Sequence, residues 1–372
     1  FLALPLAGFL LARALFDLRD AGVLGGGLAA FLAPAGLALL WLLPVVRQTA
    51  SHAPEAGELA RAFVQYEGHL EVAGSGAYRV APELVARSGA VAVAALAAIP
   101  LAGLAARRRW AAFVLGGSLA VLLVVLVPEL FMRVSDAVSL SQSRRLAGFV
   151  PFAFAFAGGA YVLARLLGML VLPVALIAGI ALQVAYPGDF TARLEEGGGP
   201  AGLVFFALVG GAAALAAGAA VRADVGRPRR EWLACAAAVL FVLPVGLHAA
   251  RTWTPSEARL PSPLTEELVE ALRERVPERA VVFSDLETSY RVAAFAPVYV
   301  AAGPPAHVAD TGENRPYERR RDVLEFFRTG DLGIPRRYGA GYLVVDRARF
   351  DLRPDLPVVH EDERFTLYRL GG

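Results

Sequence analysis

The chain has 372 residues, of which 56% are hydrophobic, and its 36 basic and 34 acidic residues leave a formal net charge of +2. The apolar residues are concentrated before Arg251, which excludes one uniform soluble fold. The near balance of charge predicts no nucleic-acid partner, and a single cysteine, Cys235, excludes an internal disulfide.

Apolar runs dominate the first 250 residues. A helix needs about 20 apolar residues to cross the hydrocarbon core of a bilayer. Eight runs approach this length: residues 1–16, 23–46, 89–105, 110–131, 146–163, 167–186, 201–221 and 232–249. The connection at Arg165 is so short that residues 146–186 also admit another division. The sequence therefore predicts an α-helical polytopic membrane domain over residues 1–250, with about eight transmembrane helices.

The first run opens at Phe1 without the basic leader of a signal peptide. We therefore expect the chain to be a fragment whose start, and with it part of the chemistry, lies upstream.

Arginine clusters predict the orientation of these helices. Arg107, Arg108 and Arg109 fall in one short loop, and Arg222 to Arg230 contribute four arginines to another. Counting helices puts both loops on one side, which the positive-inside rule assigns to the cytoplasm. The opposite loops, 47–88, 132–145 and 187–200, mix arginine with acidic residues. We therefore expect a plasma-membrane protein whose domain 251–372 is extracytoplasmic.

The tail, residues 251–372, has the charge density of a soluble domain and alternates between strand and helix patterns. Ser262 is the expected N-cap of its first helix, with Glu266 and Glu267 in the first turn. Strands are predicted at 280–283, 298–301 and 342–345, helices at 288–294 and 316–327, and a closing hairpin at 357–360 and 365–370. The tail is therefore predicted to be an α/β domain.

Arg144 and Arg145 lie in an outward loop, where the positive-inside rule does not place arginine. A guanidinium group makes bidentate contacts with phosphate, which indicates a lipid phosphate or pyrophosphate as a partner. The alternative is that both side chains snorkel against ordinary membrane lipid.

In the tail, Asp285 follows the first strand, at an edge where open α/β sheets hold ligands. The alternative is that Asp285 caps the next helix. His307 and the loop that follows it are placed to cover such a site, or are simply solvated.

His52 and Glu55 lie three residues apart in the long loop 47–88, with Glu58 three further on. On one helix face they could act as acid, base or metal ligands, or form a solvated face. A divalent cation is the only cofactor left open, and no catalytic residue is assigned.

Taken together, the pattern resembles a bacterial GT-C-type glycosyltransferase. The residues that carry the likeness are Ser141-Gln142-Ser143-Arg144-Arg145 before a Pro151-Phe152 helix, Phe283-Ser284-Asp285, Thr288-Ser289-Tyr290, His307, 318–323, Phe326-Phe327 and 365–370. The resemblance implies a polyprenyl-phosphate sugar donor, a cell-envelope glycan or protein acceptor, and transfer on the outer face of the membrane. It also implies that Arg144 or Arg145 holds the donor phosphate, that the loop with His52 and Glu55 contributes to the donor or acceptor cavity, and that the general base lies upstream of Phe1.

Two other classes stay open: a transporter of lipid-linked glycans, and a non-catalytic assembly or sensing protein. The sequence lacks the paired mid-membrane charges and broken helices of many transporters.

Overall fold

The computed structural model describes residues 2–44, 47, 64, 68–74, 76–138, 140–190, 199–226, 230–252, 264–308 and 313–371. Its contacts divide the chain into two units, Phe1–Thr254 and Pro255–Gly372.

The first unit is helical. Its α-helices are α1 Ala3–Ala14, α2 Leu18–Trp41, α3 Pro82–Ala86, α4 Ala90–Ala98, α5 Arg109–Ala112, α6 Ser118–Leu126, α7 Pro128–Val138, α8 Leu140–Ser143, α9 Phe152–Leu167, α10 Val171–Ala185, α11 Ala201–Ala220 and α12 Trp232–Thr252. The 3-10 helices are Ile99–Ala105, Arg144–Phe149, Gly168–Leu170 and Gly188–Phe190, and a π-helix, Phe113–Gly117, joins α5 to α6. Strands β1 Leu70–Val72 and β2 Tyr78–Val80 form an antiparallel hairpin in the described part of loop 47–88.

Among the described residues, five helical stretches are long and apolar enough to cross a membrane. They are Leu18–Trp41, Arg109–Leu126, Arg144–Ala185, Ala201–Ala220 and Trp232–Thr252. The helices Ala3–Ala14 and Ala90–Ala105 are apolar but shorter. The stretch Arg144–Ala185 is interrupted at Gly168, whose φ of 57° ends α9 before α10 begins. These helices are compatible with residence in a membrane.

Helix ends rich in arginine meet at one end of this unit, which we call the Arg107 end. Arg13 at the end of α1 donates to the carbonyl of Arg107, and Arg109 at the start of α5 pairs with Asp20 near the start of α2, at 2.5 Å. Arg108 pairs with Asp224 at 2.9 Å, and this hydrogen bond lowers the pKa of the Asp224 carboxyl. Asp20 and Asp224 are therefore each paired with an arginine from a distant segment.

The other helix ends meet at what we call the Arg144 end. Arg79 of β2 donates to the carbonyl of Leu126, where α6 ends, at 3.1 Å. The backbone N–H of Gly188 donates to Ser88 at 2.8 Å, so the loop after α10 packs beside the start of α4. Helices α4, α9 and α11 therefore run from the Arg144 end to the Arg107 end, and α6 and α10 run in the opposite direction. The connections 15–17, 106–108 and 168–170 at the Arg107 end are short, whereas the connection 221–231 at the same end and the connections at the Arg144 end are longer.

Glycines allow the closest crossing of helices. A Cβ on Gly8 of α1 would collide with the carbonyl oxygen of Gly116, and one on Gly116 would collide with the carbonyl oxygen of Gly8. Gly117 also faces α1, at Pro5. The π-helix Phe113–Gly117 therefore presents two adjacent glycines to the same neighbour. Without side chains between them, the two backbones approach closely enough for van der Waals packing, which stabilises helix pairs in membranes.

The second unit is an α/β domain. Its helices are α13 Glu266–Arg275, α14 Leu286–Phe295, α15 Pro316–Thr329 and α16 Gly333–Arg337, with a 3-10 helix at Pro305–His307, and its strands are β3 Val281–Phe283, β4 Tyr299–Val300, β5 Tyr342–Asp346, β6 Val358–Glu361 and β7 Phe365–Arg369. The strand order is β4-β3-β5-β7-β6. Strands β4, β3 and β5 are parallel, whereas β7 is antiparallel to β5 and to β6. The predicted closing hairpin is therefore confirmed.

Two apolar clusters cover the two faces of this sheet. Leu268 and Leu272 of α13 pack on one face with Val344, and Phe326 of α15 packs on the other with Phe283. The Phe283 and Phe326 rings meet edge to face, with centroids 5.1 Å apart. This packing holds the carboxyl ends of β3 and β5 side by side.

The first tail helix begins later than predicted. Its N-cap is Thr265, whose hydroxyl accepts from the Leu268 N–H, and Ser262 lies outside the described residues. Glu266 and Glu267 do occupy the first turn, as predicted. Thr265 takes the cap because its backbone is extended, with ψ of 151°, where the helix begins.

Candidate functional site

Arg144 and Arg145 open the 3-10 helix Arg144–Phe149, which precedes Pro151 and helix α9. Leu146 and Ala147 of the same helix are buried in the apolar core of the unit. Arg144 is half-buried and Arg145 is exposed. The two neighbouring guanidinium groups therefore start from a backbone that is fixed by packing on its apolar side.

Arg144 contacts a histidine from a distant part of the chain. Its Nη1 lies 2.9 Å from Nδ1 of His69, just before β1. Burial lowers the pKa of His69, and the positive charge of Arg144 lowers it further. The imidazole is therefore held neutral, with Nδ1 as the acceptor and the Arg144 guanidinium as the donor. His69 orients Arg144 without adding charge.

A third arginine, Arg87, lies beside the helix face that carries Arg145. Residues three apart in a 3-10 helix lie one above the other, about 6 Å along the axis, so Gly148 shares the face of Arg145. The atom nearest to where a Cβ of Gly148 would stand is Nη2 of Arg87, at 3.8 Å. We call Arg87, Arg144 and Arg145 the arginine patch. The Arg87 guanidinium therefore lies beside the 3-10 helix that carries Arg144 and Arg145. Several guanidinium groups on two neighbouring segments are suited to a phosphate.

The backbone of Arg87 is strained. Its φ of 53° and ψ of 174° fall in a region that is otherwise occupied almost only by glycine. Gly199 packs directly on the Arg87 carbonyl, where any side chain at 199 would collide. Arg87 is therefore held in an unfavourable conformation by its neighbours, and such strain is concentrated at functional sites.

Asp189 is the carboxylate that packs beside this strained segment. It approaches Gly89 and accepts from the Val91 N–H at 3.2 Å, which caps α4. Burial raises the pKa of Asp189, although hydrogen bonds from the N–H groups of Val91 and Ala90 oppose the shift. Its role in the described structure is to fix the start of α4 next to Arg87.

In the tail, Asp285 caps α14, as the alternative interpretation predicted. Its Oδ1 accepts from the N–H groups of Glu287 and Thr288, and it also pairs with Arg349 at 2.8 Å. Asp285 is only 4% exposed, and among the described residues its Oδ2 has no hydrogen-bond partner. A ligand role for Asp285 stays a prediction.

His307 lies against Tyr290 of α14, with the two rings stacked 4.7 Å apart. Both rings line a cavity of about 220 Å³. Sequence reasoning proposed His307 as a cover for a site, but did not connect it with Tyr290, which is seventeen positions earlier in the chain.

His52 and Glu55 lie outside the described residues. Among the residues that the structure describes, no group of three His, Cys, Asp or Glu side chains is arranged to hold a metal ion. Because His52 and Glu55 lie outside those residues, the expectation of a divalent cation stays a prediction.

Sequence reasoning missed His69, Arg87 and Asp189. His69 and Arg87 reach the helix of Arg144 and Arg145 through contacts between segments far apart in the chain, and Asp189 packs at Gly89, beside Arg87. Of the three, Asp189 alone has a feature in the sequence that could have marked it as a candidate. It is an acidic residue that directly follows Pro187-Gly188 after an apolar run.

Comparisons with protein-family models, with curated proteins and with solved structures gave no match.

Proposed function

We propose that this protein is a membrane glycosyltransferase of GT-C type. It moves a sugar from a polyprenyl-phosphate donor to a cell-envelope glycan or protein acceptor on the outer face of the membrane. The observation that carries the proposal is the arginine patch, in which His69 orients Arg144 beside Arg145 and Arg87.

The proposed orientation has eight helical passes, counting the apolar stretch Arg144–Ala185 as two and adding the shorter helices Ala3–Ala14 and Ala90–Ala105. Alternating helix directions and the arginines of the Arg107 end support a cytoplasmic location for that end. The Arg144 end and the tail are then extracytoplasmic. The donor lipid chain lies between helices, and its phosphate reaches the patch at the membrane surface.

The contribution of the patch to the reaction is electrostatic. When the sugar leaves the donor, negative charge develops on the lipid phosphate. Guanidinium groups already in position stabilise that charge without reorganising. Arg144 is the best prepared of the three, because it is half-buried and oriented by a neutral imidazole. The general base that activates the acceptor hydroxyl is not assigned to a residue of this chain.

The Arg144→Ala variant tests this role. We expect it to reduce transfer about 10²- to 10³-fold, the loss typical of removing one preorganised donor. The measurement is the release of polyprenyl phosphate by the full chain in proteoliposomes, from donors that carry a radiolabelled hexose or pentose. Arg144→Lys keeps the charge but loses the planar fork, so it is expected to recover only part of the rate.

Arg133→Ala is the matched control, because Arg133 is an exposed arginine of α7 near the same end. It should transfer at the rate of the unchanged chain. Unchanged transfer in Arg144→Ala would reject the proposed role of the patch.

The orientation has its own test. A fluorescent or enzymatic reporter fused after Leu370 should report the extracytoplasmic side in intact cells. Because Cys235 is the single cysteine, a Cys235→Ala background also allows one new cysteine at Arg222 to report the cytoplasmic side. A tail reporter that is active only in the cytosol would overturn the orientation, and with it the proposed outer-face reaction.

A further inference from the structure

A cavity of about 220 Å³ lies at the edge of the tail sheet. Side chains from α14, from the segment after β4 and from the start of α15 line it, including Tyr290, Ala293, His307 and Arg319. The arginine patch belongs to the other unit of the chain, so the proposed transfer reaction does not account for this cavity.

One wall of the cavity is aromatic. The rings of Tyr290 and His307 are stacked, with 23° between their planes and 4.7 Å between their centroids, and Tyr290 is 50% exposed. The face of an aromatic ring carries partial negative charge and attracts the weakly positive hydrogens of C–H groups. This wall is therefore suited to the apolar face of a ring-shaped ligand.

The other wall presents a fixed donor. Nη1 of Arg319 donates to the Ala301 carbonyl at 2.6 Å, and Nη2 donates to the Glu313 carbonyl at 3.4 Å. The Arg319 guanidinium also lies over the Tyr338 ring, 5.1 Å from its centroid. These contacts hold the guanidinium in place and use two of its five N–H groups. The remaining N–H groups of Arg319 can donate hydrogen bonds to hydroxyl groups of a ligand.

From these two walls we infer that the cavity binds one sugar ring of a neutral saccharide. A sugar ring has an apolar C–H face and a polar hydroxyl edge, which match the aromatic wall and the donor wall. The volume is below the roughly 300 to 1,000 Å³ of pockets for drug-sized ligands, so it suits one ring. Among the described lining residues, Arg319 alone has a permanent charge, so one charged group faces an otherwise uncharged lining.

The ligand class follows from the cavity alone. That this saccharide belongs to the glycan acceptor or product rests on the proposed function. In that case the tail binds the glycan, and the other unit performs the transfer.

Binding is to be measured with the full chain in nanodiscs, which avoids sugar-based detergents. Saturation-transfer NMR would use a panel of methyl glycosides: glucopyranoside, mannopyranoside, galactopyranoside and arabinofuranoside. We expect saturable binding of at least one of them. Ala293→Leu places a larger side chain in the cavity from an exposed helix position, and should weaken that binding about tenfold or more. Tyr290→Ala removes the aromatic wall and should have a similar effect.

Each variant has a matched control. Ala294→Leu adds the same bulk at the next exposed position of α14, which does not line the cavity, and Tyr299→Ala removes an exposed tyrosine of β4 outside the cavity. Both controls should bind as the unchanged chain does. Hydrogen exchange of the β5 amides checks that each variant is folded. If Tyr290→Ala does not fold, the binding measured with Ala293→Leu decides whether the inference holds.

Three results would overturn the inference: no saturable binding of any glycoside, equal binding by Ala293→Leu and Ala294→Leu, or displacement of the glycoside by inorganic phosphate, which would indicate an anion site. Arg144→Ala should bind the glycoside normally, because that residue lies in the other unit. Loss of transfer and loss of tail binding are therefore separate outcomes.

Discussion

Replacing Asp346 with Ala is expected to lower the free energy of unfolding of the tail by about 3 kcal/mol or more. Asp346 ends β5 and is fully buried, and its two carboxylate oxygens accept from Nε and Nη2 of Arg364 at 3.1 and 2.7 Å. Its Oδ1 also accepts from the Ala348 N–H. The variant loses these bonds and leaves Arg364 without its buried partner. Arg364 is partly exposed, so solvent limits the cost.

Native-state hydrogen exchange of the β5 and β7 amides measures this loss in the full chain. Glu361→Gln is the control, because it breaks the Arg347–Glu361 pair at the surface of the same domain. An exposed pair of this kind contributes at most about 1 kcal/mol. Equal protection in Asp346→Ala and Glu361→Gln would contradict a structural role for the buried pair.

Gly8→Leu is expected to have the second large effect, on the membrane unit. Any Cβ at Gly8 collides with the carbonyl oxygen of Gly116. Overpacking a core costs about 1 to 3 kcal/mol when side chains can adjust, and a backbone carbonyl cannot turn aside as a side chain does. We therefore expect a cost of about 3 kcal/mol or more and displacement of α1 from the π-helix. The loss of stability is measured as a drop in Tm, which fluorescence-detected size exclusion determines.

Gly26→Leu on α2 is the matched control, because no atom lies within 4 Å of the position that its Cβ would take. This variant adds the same bulk to an apolar helix and should keep the Tm of the unchanged chain. If both variants lower the Tm equally, helix composition rather than the crossing explains the loss.

The apolar runs located the helices well but not their ends. Helix α2 begins at Leu18, five residues before the run that predicts it, because Asp17 caps it and Asp20 pairs with Arg13 and Arg109. A hydropathy profile leaves such residues out of the predicted helix because they are polar, although partners from other helices neutralise them.

Proline explains another difference in the helix ends. Within the predicted apolar run 110–131, the helix ends at Leu126, because Val127 precedes Pro128 and has an extended backbone. The helix that follows, Pro128–Val138, is a separate element.

In the tail, the local patterns predicted the strands of the sheet but not their order. The order β4-β3-β5-β7-β6 depends on which side of β3 each connection takes, and no single segment carries that information. The candidate site shows the same limit. Arg144 and Arg145 were found by their unusual place in the sequence, whereas His69 and Arg87 join them only through folding.

The unequal connections at the two ends of the helical unit have a mechanical consequence. At the Arg107 end, three turns of a few residues each hold their neighbouring helices at a nearly fixed spacing, although the connection 221–231 is longer. At the Arg144 end, long connections leave the spacing to side-chain packing. Helices that are joined by these short turns can therefore separate further at the Arg144 end than at the Arg107 end, with the turns as the pivot.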